Sequence, residues 1–380
     1  MRIWSVLIVA MGLALAGARA HATDHHPPGT PLTHMIGQMI MVGFVGDTAD
    51  HNWFRQVVAQ VSAGKVTGVL YLGRNVRSRS AVSAMNTALA DAGSPALPPL
   101  IGVDQEGGYV QRLTPDVGFT SLPSARHLAR TMDTEQAFEA YSDLARRLRA
   151  WGFNLNLGPV VDVDVNPYNP IIGRLGRSFS NDPQTVTKYA SAFVEGHRKH
   201  GVLTTLKHFP GHGSSHTDSH RTEVNVTQTW QPGELTPYRA LIQRGQADMV
   251  MSGHIRNGRI QASDDHLPAS LSHAALTQHL RSQFGYEGVI ISDDMQMRAI
   301  SQRFGFEEAV TKAVFAGTDI LIFANDKSPD LRIPEKVISI LTKAAGENAV
   351  LKARITAAYQ RIVALKQKLH HKPSTASPLN

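Results

Sequence analysis

Eight short apolar runs constrain this chain more than any other feature. They are Met39–Phe44, Thr67–Leu72, Pro99–Val103, Phe153–Val161, Val202–Leu206, Asp248–Ser252, Gly288–Ser292 and Asp319–Phe323. Each is apolar on both faces, the pattern of strands buried within a parallel sheet. Most of the intervals between them carry a helix-period segment, as in Asp133–Trp151, Asp182–His200 and His273–Phe284. Strand–helix alternation predicts a parallel sheet, and eight repeats predict a single (β/α)8 TIM-type barrel of the α/β class. An open doubly wound sheet is the competing architecture, but no G-x-G-x-x-G turn follows an early strand. One further amphipathic helix, over Ala344–Leu369, is expected to lie outside the barrel.

The ends read differently. Arg2, an apolar stretch from Ile3 to Leu15 and the small-residue site Ala18-Arg-Ala20 describe a cleavable signal peptide over residues 1–20. The apolar stretch is shorter than the ~20 residues a spanning helix needs. The expected order is therefore signal peptide 1–20, flexible leader 21–34, barrel domain 35–371 and loose tail 372–380. The mature chain is expected to be periplasmic or secreted, monomeric and without a membrane span. There are no cysteines, which excludes disulfides, thiolate metal sites and a cysteine nucleophile. The net charge is +7, but the positive residues are scattered, with no basic block suited to nucleic acid.

Polar residues gather where the runs end. Asp104-Gln-Glu106-Gly-Gly108 follows the third run, Asp162 and Asp164 the fourth, and Lys207-His208 the fifth. His254 follows the sixth, Asp293-Asp294 the seventh, and Asn325 and Asp326 the eighth. The C-terminal strand ends are where parallel barrels build active sites.

His208, His212, His216 and His220 are spaced by four, which on a helix would align them for zinc. Pro210, Gly211 and Gly213 argue against a helix and for a structured loop. Within it, Asp218 and His220 are two apart, so in an extended segment they point the same way. A carboxylate beside an imidazole favours the protonated ring that a general acid needs. Asp293 and Asp294 are not separated by composition, since Asp at a strand end often caps the following helix.

In combination these motifs resemble the β-N-acetylglucosaminidases of glycoside hydrolase family 3. The matching segments are Asp104-Gln-Glu-Gly-Gly-x-Val-x-Arg112, Arg177-Ser-Phe, Lys207-His-Phe-Pro-Gly-His-Gly213, Asp218-Ser-His220 and Ser292-Asp-Asp-Met295, in the family's order. The resemblance implies a retaining mechanism on a barrel, without metal or cofactor. It implies Asp293 as nucleophile, His220 as general acid/base and Asp218 as its orienting partner. Asp104, Arg112, Arg177, Lys207 and His208 would hold the sugar's hydroxyls and N-acetyl arm. Carboxylate attack and separate protonation of the leaving oxygen suit these residue types.

Two positions depart from the family pattern: Tyr109 stands where an arginine is usual, and Arg174 rivals Arg177 as a sugar ligand. The implied activity is release of terminal N-acetylglucosamine from cell-wall fragments or chitin oligosaccharides. A phosphorylase using the same residues and a non-catalytic sugar-binding protein are the competing functions.

Overall fold

The computed structural model describes residues 29–261, 264 and 266–370. The expected signal peptide, the leader up to residue 28 and the tail 372–380 lie outside the described residues. The last leader residues already belong to a short helix, Leu32–Gly37, which buries Met35 and Ile36.

Eight parallel strands close into a barrel in sequence order. They are β1 (Ile40–Gly43), β2 (Gly68–Tyr71), β3 (Leu100–Val103), β4 (Leu155–Asn156), β5 (Leu203–Phe209), β6 (Met249–Ser252), β7 (Val289–Asp294) and β8 (Ile320–Phe323). The main intervening helices are α1 (Asn52–Ser62), α2 (Arg79–Ala92), α3 (Thr134–Ala150), α4 (Pro183–Arg198), α5 (Thr236–Gln243), α6 (Ala274–Gln283), α7 (Phe306–Ala316) and α8 (Ile333–Glu347). Their starts follow local chemistry. Asp133 caps α3 reciprocally with Gln136, and Asp182 accepts from two amides at the start of α4, just before Pro183. Among the described residues no helix is long and apolar enough to cross a bilayer.

Three elements differ from the sequence expectation, each for a local reason. β4 was expected over residues 153–161, but its regular pairing is confined to Leu155–Asn156, with one further bridge from Val160 to Lys207. Pro159, which has no amide proton to donate, interrupts the ladder between them. β5 runs to Phe209, beyond the expected Leu206, so Lys207 and His208 are strand residues.

The expected helix Ala344–Leu369 is two helices, α8 and α9 (Ala349–Gln367). Asn348 separates them, and its side chain accepts from the Val350 and Leu351 amides at 3.0 and 3.1 Å. The extra C-terminal helix, α9, buries Leu351, Ile355, Ala358 and Ile362 and contacts β7 from outside. Near its end Lys366 is buried, donating to Gln38 Oε1 at 2.8 Å and the Thr67 carbonyl at 3.0 Å. Burial pushes that ammonium down to about 7.

The ladder slips between Ile291 and Asp294 on β7 and between Leu206 and Phe209 on β5. At the first slip the Ser292 hydroxyl accepts the Ile322 amide at 3.0 Å, as a strand carbonyl otherwise would. Bulges re-aim side chains at barrel rims. These two lie where the polar residues concentrate.

Candidate active site

A buried ion network forms beyond β3. Lys207 Nζ lies 2.8 Å from Asp104 Oδ1 and 2.6 Å from Glu106 Oε1. Arg177 grips Glu106 through both forks, Nε to Oε2 at 2.8 Å and Nη2 to Oε1 at 2.9 Å. Arg112 reaches Asp104 at 3.6 Å. Burial opposes ionisation of Glu106, but Arg177 and Lys207 outweigh it and hold the carboxyl well below the usual range. Burial likewise opposes the Lys207 charge, and Asp104 and Glu106 overcome it, raising the ammonium above its ordinary value.

The hairpin carrying Glu106 is itself pinned. Gln105 Oε1 accepts the Arg112 and Leu113 amides at 3.0 Å each, and Asn156 bonds both backbone groups of Gln105. Tyr109 sits at the hairpin turn, is 74% exposed and takes no part in this network. Of the rival arginines, Arg177 joins the network while Arg174 is exposed.

A second buried unit centres on Asp162. Its Oδ2 meets His208 Nδ1 at 2.8 Å, and its Oδ1 accepts the His208 and His212 amides at 3.1 and 2.8 Å. The ring's Nδ1 is thereby committed to Asp162. The loop passes so close to Val163 that a Cβ on Gly213 would lie 1.6 Å from the Val163 carbonyl oxygen.

At the bulged end of β7 the two aspartates part company. Asp294 Oδ1 accepts the Gln296 and Ala324 amides at 3.1 and 3.0 Å, and burial raises its carboxyl to about 6. Asp293 accepts only the Asp294 amide, at 2.8 Å, among the hydrogen bonds of the described residues. Burial works against its charge, but His254, His208 and His220 together bring it down to about 2. His254 is fixed by Ser270 Oγ at 2.7 Å and the Asp294 carbonyl at 2.9 Å.

Asp218 and His220 do meet, Nδ1 to Oδ1 at 2.8 Å. The cause is a turn rather than the expected extended segment. The same Asp218 oxygen accepts the His220 amide at 2.9 Å, and the Asp218 carbonyl accepts the Arg221 and Thr222 amides. The His220 side chain is 61% exposed.

The four-spaced histidines do not converge. His208 faces Asp162, buried His212 bonds Ser215 and Ser219, His216 reaches Asn166, and His220 pairs with Asp218. No group of three or more metal-ligating His, Asp or Glu side chains forms among the described residues. Asn325 and Asp326, rim residues by sequence, belong instead to the barrel seam. Asn325 donates to the Gly43 carbonyl at 3.0 Å, and Asp326 pairs with Arg74 at 2.8 Å.

Sequence reasoning left Glu106, Asp162 and His254 outside the proposed site set. Each carried a signal in its strand-end position.

The whole described barrel resembles known proteins. The family model described as the glycosyl hydrolase family 3 N-terminal domain matches residues 32–365. Beta-hexosaminidase LpqI of Mycobacterium tuberculosis is 39% identical over 302 residues, covering 77% of this chain and 73% of its own length. A beta-hexosaminidase of Tolumonas auensis is 37% identical, over 69% of this chain and 77% of its own. Among solved structures, a family 3 β-N-acetylglucosaminidase from Paenibacillus superposes with a TM-score of 0.82 at 32% identity. That match covers 93% of this chain, which spans 65% of the Paenibacillus protein. The β-N-acetylhexosaminidase of Beutenbergia cavernae gives 0.78 at 30% identity, over 89% of this chain and 99% of that one.

Proposed function

The chain belongs to glycosyl hydrolase family 3, and from that membership we propose an exported, retaining β-N-acetylglucosaminidase. Its substrates are the terminal non-reducing N-acetylglucosamine units of cell-wall fragments or chitin oligosaccharides. The observation that carries the reading is the state of Asp293. It is a carboxylate brought down to about 2 by the charges of His254, His208 and His220, with no side-chain hydrogen-bond partner among the described residues, at the end of β7.

In this reading Asp293 attacks the anomeric carbon, forming a glycosyl-enzyme as the bond to the leaving oxygen breaks. His220, oriented by Asp218, gives its proton to that oxygen. The same imidazole then takes a proton from the water that releases the sugar, as a retaining pathway requires. Asp104, Arg112, Arg177, Lys207 and His208 hold the sugar. Their mutual bonds fix donors and acceptors before substrate arrives, which is the condition for positioning to lower a barrier.

Turnover of an aryl N-acetylglucosaminide beside the matching glucoside tests the substrate. A preference for the glucoside would overturn it. Product analysis with and without phosphate separates hydrolysis, which is expected, from phosphorolysis.

A further inference from the structure

The loop that carries His220 is braced from within. The Asp218 carboxylate takes the His220 amide and ring, and the Asp218 carbonyl accepts the Arg221 and Thr222 amides at 3.0 Å each. Thr217 Oγ1 donates to the Glu223 carbonyl at 3.3 Å, drawing the two ends of the loop together. Asp218 and His220 make no hydrogen bond or ion pair outside this loop among the described residues. The place of the imidazole over the barrel is therefore set by whatever holds the loop around it.

The holds on the two sides differ. Upstream, Ser215 Oγ donates to the Thr217 carbonyl at 3.2 Å, and Ser219 Oγ meets His212 Nε2 at 3.3 Å. Both tie the loop back to the buried segment it has just left. Downstream, Glu223 crosses to two other barrel units. Its Oε1 accepts Arg303 Nη1 at 2.5 Å and lies 3.6 Å from Arg256 Nη1. Arg256 is two residues past His254, where Ile255–Arg256 pairs with Val224–Asn225. Arg303 belongs to the segment between β7 and α7, and its Nη2 donates to the His266 carbonyl at 3.1 Å. Backbone pairing thus joins the loop's exit to the β6 side, whereas the Glu223–Arg303 pair joins it to the side that carries Asp293. His220 lies near enough to Asp293 and Asp294 to act on the charge of both. Ion pairs as exposed as this one add little to global stability. What this pair fixes is position.

We propose that Glu223 and Arg303 are positioning residues, a latch that holds the His220 loop against the β7 side so that the imidazole meets the leaving oxygen while Asp293 attacks. The inference rests on the acid/base reading of His220. Without the latch the Asp218–His220 pair stays intact, since every bond within the loop survives, but its distance from the sugar varies. Misplacing a reacting group by about 1 Å costs up to about 10²-fold in rate.

The test is kcat/KM on two aryl N-acetylglucosaminides that differ only in nitro substitution, phenyl and dinitrophenyl. The phenoxide of the first needs a proton to leave and that of the second does not. Arg303→Met and Glu223→Ala should each lose about 10-fold on the phenyl substrate and less than about 2-fold on the dinitrophenyl one, a fraction of the ~10²–10⁴-fold that general acid catalysis supplies. The double variant should lose no more than Glu223→Ala alone, because the two residues act through one contact. Arg303→Lys keeps a cation opposite Glu223 and should recover most of the loss.

Equal losses on both substrates with a lowered urea midpoint would mark a structural role and overturn the proposal, as would no loss on either. His220→Ala, measured beside them, separates the two readings. A leaving-group effect confined to His220→Ala overturns the latch alone. If His220→Ala slows both substrates alike, the acid reading falls and the latch with it.

Discussion

The segments Lys207–Ser215 and Thr217–Thr222 are separated in the chain only by His216 and differ in nearly every physical respect. The first is buried throughout, with Lys207 at 3% and His212 at 1% exposure, and the Lys207 ammonium, the His208 ring and the His212 amide are committed to Asp104, Glu106 and Asp162. The second carries His220 with 61% of its side chain in solvent, held by one aspartate and a turn. In the proposed reading the difference maps onto the two tasks of a glycosidase. Gripping a sugar rewards groups fixed in advance, whereas moving a proton to a departing oxygen needs a group that solvent and leaving group can reach. Asp293 lies in the bulged end of β7, and its charge is favoured by His208 of the first segment and His220 of the second.

The largest effect should come from the residue both segments serve. Asp293→Ala should lower turnover at least about 10⁴-fold even on activated substrates, because no covalent intermediate can form. A fluorosugar that traps the glycosyl-enzyme should label Asp293. Finding the sugar on Asp294 would undo the comparison at its centre.

On the exposed side, His220→Ala should slow substrates with poor leaving groups by about 10²–10⁴-fold and largely spare the first step on activated aryl glycosides. Equal losses on both would remove His220 from the acid role. On the buried side, Glu106→Ala leaves Lys207 and Arg177 facing each other without their shared anion. Breaking such a buried pair costs about 3–5 kcal/mol, readable as a lowered urea midpoint, whereas His220→Ala should leave that midpoint unmoved. A neutral replacement of the whole cluster that restored stability but not activity would sharpen the division further.

The fold was legible because a buried parallel strand writes its whole run in apolar residues, as β1, β2, β3 and β8 do. The boundaries that slipped are those where one residue overrules the run. Pro159 stops a ladder, and Asn348 offers its side chain to the backbone and splits a helix. The proposed site residues were legible from motif and strand-end position, but their partners less so. Glu106, Asp162 and His254 act on the named residues through contacts made across 71, 46 and 40 residues of sequence, which no local pattern encodes. The Asp218–His220 contact formed through a turn, so a contact expected from an extended segment arose from a different local geometry.

The smallest expected effect separates the two neighbours on β7. Asp294 belongs to the buried, structural side, since its Oδ1 holds the Ala324 amide of the barrel seam and the Gln296 amide beyond β7. Asp294→Ala strands both amides and should cost about 1–3 kcal/mol of stability, with turnover still measurable. The pH dependence identifies the cause. Burial raises the folded-state carboxyl to about 6, above the ordinary value of about 4 that it regains on unfolding. The folded form therefore keeps its proton longer, and its contribution is full below pH ~4 and fades as pH rises through ~6. Asp294→Asn retains the accepting oxygen and has no proton to lose. Urea midpoints of wild type and Asp294→Asn should therefore lie closest near pH 4, with the wild type falling behind by pH 7. Parallel curves across that window would mean that Asp294 is ionised in the folded barrel, and the contrast with Asp293 would then rest on hydrogen bonding alone.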